Sequence, residues 1–516
     1  MRRLGSAALL LTAAMFLSRI IGYLREAFIA ARFGVTSLTD AFYAAFTFPD
    51  FLNYLVAGGT LSITLLPIYA RPRAEGDEAE ANRVLGIVTT IMLTVVGLGV
   101  VAGEIFAAPL VDSFYRAPDA EARAACVRMT RILFPAQLFF FAGGLASATL
   151  FARGRFAAAA LAPLLYNAGI IAGGAIFGGA LGPEGLVWGA VVGAALGPFA
   201  IPAVDAYRAG ARLRPSFAAR HPGFVEWLKL SLPLMIGVSL ISADDWIIRY
   251  FASGSVGAIS RLTYAKRLVA VPIAVAGQAV GQASMPFFAR LYAEGKTDEL
   301  IDTFASTVRG AGTVALLVAA YMIAVPAPLI EILFARGKFG GADVPATAEY
   351  LAIFAAAVPL WSIQGLAARV FYAARNTLTP MIAGTIVTAG SIPIYAALYH
   401  AFGPTGLAIA SGAGILGHTA VLLWLAPRIL PGVQRAMSAS ARRLGAAALL
   451  AAFAGVVAWA CGRAVLELPL RGHWQALAVC SLGGLAFLVT TALAAPLLGI
   501  DEPRRLWNKL RRRLKI

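Results

Sequence analysis

Charge is scarce in this chain. Only 13% of its 516 residues are Asp, Glu, Lys or Arg, where a soluble domain carries about a quarter. Acids are the scarcer sign, 26 against 43 Lys and Arg, for a net charge of +17. Three scattered cysteines (Cys126, Cys461 and Cys480) offer neither a disulfide framework nor a metal spacing. Four scattered histidines (His221, His400, His418 and His473) do no better. No Walker loop, nucleophile elbow or glycine-rich dinucleotide turn occurs, which argues against an ATPase domain, an enzyme or a bound cofactor. Alternation by twos over about ten residues is also missing, which excludes a membrane β-barrel.

What is present is apolar length. Hydrophobic residues make up 59% of the chain, and the mean hydropathy is +0.77. The apolar residues gather in runs of about 20, the length that crosses a hydrocarbon core. The expectation is an all-α polytopic membrane protein with fourteen spans. They lie near 7–30, 39–70, 84–112, 129–152, 157–181, 184–206, 224–251, 258–289, 304–334, 348–373, 380–401, 405–427, 441–465 and 473–498. Pro49 and Pro272 fall inside the second and eighth and should kink them. The opening Met1-Arg2-Arg3 and its apolar run resemble a signal peptide, but the run continues through Arg25 without a cleavage site, so a retained first helix is expected.

The basic residues follow topology, and no nucleic-acid partner is implied. With the N-terminus inside, Arg71, Arg73, Arg83, Arg153, Arg155, Arg208, Arg212 and Arg428 fall in inside loops. Outside loops such as 178–185 and 401–406 carry almost none, and the mixed loop 116–131 is the exception. Both termini are then cytoplasmic, and the tail from Arg504 to Lys515 is an anchor for anionic lipid or a topology signal.

The chain also repeats itself. Leu66-Pro67-Ile68-Tyr69-Ala70-Arg71 returns as Met285-Pro286-Phe287-Phe288-Ala289-Arg290, and Ala108-Pro109-Leu110-Val111-Asp112 as Ala327-Pro328-Leu329-Ile330-Glu331, both 219 residues on. Gly144-Leu145-Ala146 returns as Gly365-Leu366-Ala367, and Gly182-Pro183-Glu184-Gly185-Leu186 as Gly403-Pro404-Thr405-Gly406-Leu407, both 221 on. An offset of six spans, an even number, gives a parallel repeat, with the working site expected between the copies. The expected division is an N-terminal lobe over 1–220, a C-terminal lobe over 221–430, and two further spans with a basic tail over 431–516.

Within this apolar background a few charges stand out. Arg25 and Glu26 sit inside the first span, with Asp40 shortly after. A charge at the bilayer centre costs about 2.5–3.5 kcal/mol or more, so such residues face a bundle interior or a wet cavity. A guanidinium keeps its charge in low dielectric and matches phosphate geometry. Arg25 is therefore a candidate anion ligand, with Glu26 and Asp40 holding it ready. The alternative is a buried ion pair that only fixes packing. Lys266 and Arg267 occupy the corresponding place in the second copy, as candidate cargo ligands or as a solvated basic cluster. Asp244 and Asp245 lie in the seventh span. Adjacent helical residues point about 100° apart, so the two are expected to diverge: one to bind a coupling Na⁺ or proton, the other to pair with Arg249. Gln278 and Gln282 would line a cavity or, better, bond between helices.

These residues carry a resemblance. Ser18-Arg19-Ile20-Ile21-Gly22-Tyr23-Leu24-Arg25-Glu26, with Thr39-Asp40-Ala41-Phe42, Phe48-Pro49 and Tyr264-Ala265-Lys266-Arg267-Leu268, resembles the MurJ/MviN lipid II flippases of the multidrug/oligosaccharidyl-lipid/polysaccharide exporter superfamily. The resemblance implies two six-helix lobes that alternate access across the bacterial inner membrane, and two extra helices that help hold a prenyl tail. It implies lipid II as cargo, translocated for cell wall synthesis, with other cell-wall synthesis proteins as candidate partners. It also implies Arg19, Arg25 and Arg267 as diphosphate ligands, with Glu26 and Asp40 as the family's acidic positions. The chain departs from the family at Asn53-Tyr54 and Ala57-Gly58-Gly59, where relatives carry arginine and Ala-Glu-Gly, and at Lys266, where an acidic or polar residue is common. Three other readings compete: an exporter of another polyprenyl-linked glycan, a cation-coupled drug antiporter, and a scaffold that transports nothing.

Overall fold

The computed structural model describes residues 2–57, 60–236 and 240–500. The basic tail expected to anchor to lipid, and the glycines of the departing Ala57-Gly58-Gly59, lie outside the described residues. All regular structure among the described residues is helical. That is the solution lipid imposes on an open chain, because a helix satisfies its own backbone polar groups.

Eleven helices are long and apolar enough to cross a membrane, so the protein is a multi-pass membrane protein. Eleven of the fourteen expected spans meet that criterion among the described residues. The other three stretches are helical but fall outside that set. The first helix, Arg2–Phe33, concentrates Arg19, Arg25, Glu26 and Arg32. The stretch 39–70 is divided among Ser37–Ala45, Thr47–Ala57 and Thr60–Ala74. The stretch 224–251 is divided between Pro222–Ile236 and Leu240–Ala252.

The two prolines act differently. Pro49 has no N–H to offer the carbonyl of Ala45, and the chain breaks there, with one helix ending at Ala45 and the next starting at Thr47. Pro272 instead precedes a π-helical stretch, Ile273–Ala279, and the span runs on through Ala293. A widened turn is the other way to absorb a missing donor.

The repeat is written into the element boundaries. Glu78–Ile105 and Thr297–Ala324 begin and end 219 residues apart, and each is followed by a short helix, Ala107–Phe114 or Pro326–Phe334. Ala157–Leu181 and Leu378–Phe402 are offset by 221. Each of the latter ends on a glycine in nearly the same conformation, Gly182 (φ 57, ψ −143) and Gly403 (φ 59, ψ −144). Side chains are excluded from that region, which is why a Gly-Pro turn recurs there.

By internal contacts the chain forms two units. The first holds residues 1–237 and 253–260, the second 238–252 and 261–516. In the first, Tyr69, Phe134, Phe141 and Trp227 are buried in one apolar core. Ala157–Leu181 and Glu184–Ala194 approach so closely that a β-carbon on Gly173 would lie 2.4 Å from the carbonyl oxygen of Gly185. Small residues permit this approach, and dispersion then holds the helices together in lipid. In the second unit, Phe288, Phe304 and Phe371 centre the core. The last two spans, Val433–Leu466 and His473–Ala494, pack on each other, and the former also packs on Thr297–Ala324.

Candidate functional site

Each unit holds a cation in a network of buried polar groups. In the first, Arg25 lies in the C-terminal half of Arg2–Phe33. Its Nη2 donates to Glu26, and its Nη1 donates to Asn167 Oδ1 at 2.8 Å. Asn167 Nδ2 donates to the Pro163 carbonyl one turn earlier, at 2.8 Å, which sets the amide's orientation. Tyr43 donates to Glu26 Oε2 at 2.5 Å. The Glu26 side chain is 0% exposed and that of Arg25 is 15% exposed. The guanidinium is thus held by a carboxylate and an amide, on a side chain that is mostly buried. A fork of five donors with two committed nitrogens is of the type suited to an anion.

Two expected companions of Arg25 lie elsewhere. Arg19 is exposed, and six residues along a helix turn it about 120° from Arg25. Asp40 is buried, and it accepts from the backbone N–H of Gly257 at 2.5 Å, from that of Ser260 at 2.8 Å, and from Ser260 Oγ at 2.6 Å. It therefore serves as an anionic cap for the helix Ala258–Pro272, where unpaired N–H groups and the helix dipole favour negative charge. The carboxylate that holds Arg25 is Glu26.

In the second unit the cation is Lys266. Its Nζ donates to both Asp244 and Asp245. The two adjacent aspartates face different surroundings, yet a long, flexible lysine placed between their side chains lets both reach it. Asp244 is fully buried and also accepts from Tyr395 Oη and, at 3.0 Å, from Ser411 Oγ. The Asp245 side chain is 48% exposed. It lines a cavity of about 160 Å³ with Arg249, Thr263, Lys266 and Arg267. Arg267 is exposed, and Arg261, the first cation of the same motif, pairs with Asp343 at 2.9 Å. Gln278 and Gln282 are exposed on the same span. Among the described residues no three His, Cys, Asp or Glu gather as a metal site.

Asn167, Tyr43, Tyr395 and Ser411 complete these networks, and sequence reasoning missed all four. The available signal was modest: a lone polar group inside an apolar span has to find a partner.

Comparison with known proteins places this geometry in context. The family described as Lipid II flippase MurJ matches residues 29–467. The match starts just after Arg25-Glu26, so the opening motif lies outside it. A Burkholderia cenocepacia protein named Lipid II flippase MurJ is 30% identical over 416 residues, covering 77% of this chain and 79% of that one. A Vibrio cholerae protein named Probable lipid II flippase MurJ is 26% identical over 435 residues, covering 82% of each. Among solved structures, one titled Lipid II flippase MurJ, inward closed conformation, superposes with a TM-score of 0.79 at 21% identity, covering 95% of this chain and 99% of that one. An inward-facing multidrug resistance MATE family transporter of the MOP superfamily gives 0.65 at 18% identity, covering 84% and 99%.

Proposed function

This chain belongs to the lipid II flippase MurJ family, and from that premise we propose that it carries lipid II from the cytoplasmic to the outer leaflet of the inner membrane, for peptidoglycan synthesis. It does so by alternating access, without making or breaking a covalent bond. The sequence relatives named above are called lipid II flippases, so a drug or other glycan cargo is not favoured. The finer architecture belongs to the same proposal. It comprises fourteen spans with both termini cytoplasmic, a six-helix lobe from each copy of the repeat, and two C-terminal helices.

The observation that carries the reading is Arg25. A guanidinium inside an apolar helix is held by Glu26 and Asn167 on a side chain that is not wholly buried. Arg25 is assigned to the cargo diphosphate within the first unit, with Arg19 nearer the helix exterior. Within the second unit the assigned cation is Arg267, on the wall of the Lys266 cavity. Glu26 positions Arg25, and Asp40 holds the helix end that precedes Lys266 and Arg267.

The test is depletion of the protein in its host with rescue by plasmid. Wild type restores growth and lipid II translocation. Arg25→Ala, expressed at the same level, fails to restore either, and Arg25→Lys restores them in part because charge returns without the planar fork. Full rescue by Arg25→Ala removes Arg25 from the mechanism. Undiminished lipid II translocation in depleted cells removes the cargo assignment.

A further inference from the structure

The second unit presents a fully buried carboxylate whose cation is part of the chain. Asp244 spends its acceptor capacity on the Lys266 ammonium and on the hydroxyls of Tyr395 and Ser411. A carboxylate can only accept, so both hydroxyls point their protons at it. Asp245, one residue along, gives its own oxygen to the same ammonium. Two carboxylates this close cannot both stay ionised without a cation between them, and would otherwise share a proton. Arg249 and Arg267 add two positive charges to the cavity wall.

We propose that Lys266 is a tethered counter-cation: its ammonium occupies the place between Asp244 and Asp245 that a Na⁺ or a proton would otherwise take, so that this cluster works without a soluble coupling ion. The carboxylate pair has a positive charge between its members in every protein molecule, at any Na⁺ concentration. The transport cycle depends on the flippase reading above, but the occupancy of this cluster does not, and the two can fail separately.

The test measures thermal stability of the purified full-length protein in detergent, with no cargo present. NaCl is compared with choline chloride at equal ionic strength, and pH 8 with pH 6. Wild type should show the same Tm in both salts. Lys266→Met empties the place between the carboxylates, and its Tm should rise by roughly 2–4 °C with Na⁺ or at the lower pH. Lys266→Arg should behave as wild type. If Lys266→Met does not accumulate, Lys266→Met/Asp245→Asn removes one charge of each sign and leaves Asp244 without its cation, and it carries the same expectation. The proposal is overturned by a Na⁺-specific rise in wild type that Asp244→Asn abolishes, or by a cation-depleted variant as indifferent to Na⁺ and acid as wild type.

Discussion

The two polar networks solve one problem with different chemistry. Both keep a cation charged inside an apolar helix bundle, and both use a buried tyrosine to donate to the carboxylate that holds it, Tyr43 to Glu26 and Tyr395 to Asp244. In the first unit one carboxylate serves one guanidinium, and the second partner is a neutral amide, Asn167. In the second unit two carboxylates serve one ammonium. The difference follows from the cations. A guanidinium spreads its charge over a planar fork, so it can be held from one side and still present N–H groups on another. An ammonium is a compact point charge that two flanking acids can enclose. The first arrangement leaves its cation with N–H groups uncommitted, and the second commits its cation to two acids. Lys266 is thus a poorer candidate cargo ligand than Arg25, although the sequence offers both.

Substitutions can break this comparison in a definite order. The background for reading each unit separately is provided by the free thiols. Cys126 is buried in the first unit, and Cys461 and Cys480 lie in the second. A thiol-reactive dye in a Cys461→Ser/Cys480→Ser background reports opening of the first unit on heating, and Cys126→Ser reports the second. The largest loss is expected for Glu26→Ala, which strips Arg25 of its one carboxylate in a buried site and should cost about 3–5 kcal/mol. A normal melting profile for Glu26→Ala would mean that Asn167 and solvent suffice, and that the pair is incidental. Asp244→Ala should cost less, about 2–3 kcal/mol, because Asp245 still neutralises Lys266 and the loss is chiefly two orphaned hydroxyl donors. If Asp244→Ala proved worse than Glu26→Ala, the shared-acid description of the second cluster would be wrong. Tyr43→Phe and Tyr395→Phe should each cost about 1.5–3 kcal/mol, the range for one hydrogen bond to a charged group. Their near equality would show that the tyrosines do the same job in both units. Asp245→Ala should cost no more than about 1 kcal/mol, since its half-exposed side chain is screened by solvent.

The repeat shows how much local sequence can say. Gly182 and Gly403 share a backbone conformation open only to glycine, and each is followed by proline, so the turns were legible as a motif returning at a set spacing. Helix lengths were legible for eleven spans because apolar run length is itself the physical requirement for crossing lipid. Pro49 and Pro272 were both expected to disturb their spans, but only the surroundings determined that one breaks a helix and the other widens it. Asp40 was grouped with Arg25 because the two are close in sequence, yet it caps a helix end 217 residues later. Asn167 is 142 residues from Arg25, and Tyr395 is 151 from Asp244. Nothing in a periodicity selects such partners.

The amino-acid sequence alone determined the class of protein, its duplicated plan and the presence of Arg25-Glu26 in an apolar helix. These follow from local quantities: run length, residue spacing, and the cost of charge in hydrocarbon. Tertiary structure alone decided which acid neutralises which base, and so which cations remain to meet a cargo. That decision depends on which helices cross at a given depth, and a buried charge settles on the partner that packing brings within hydrogen-bond reach.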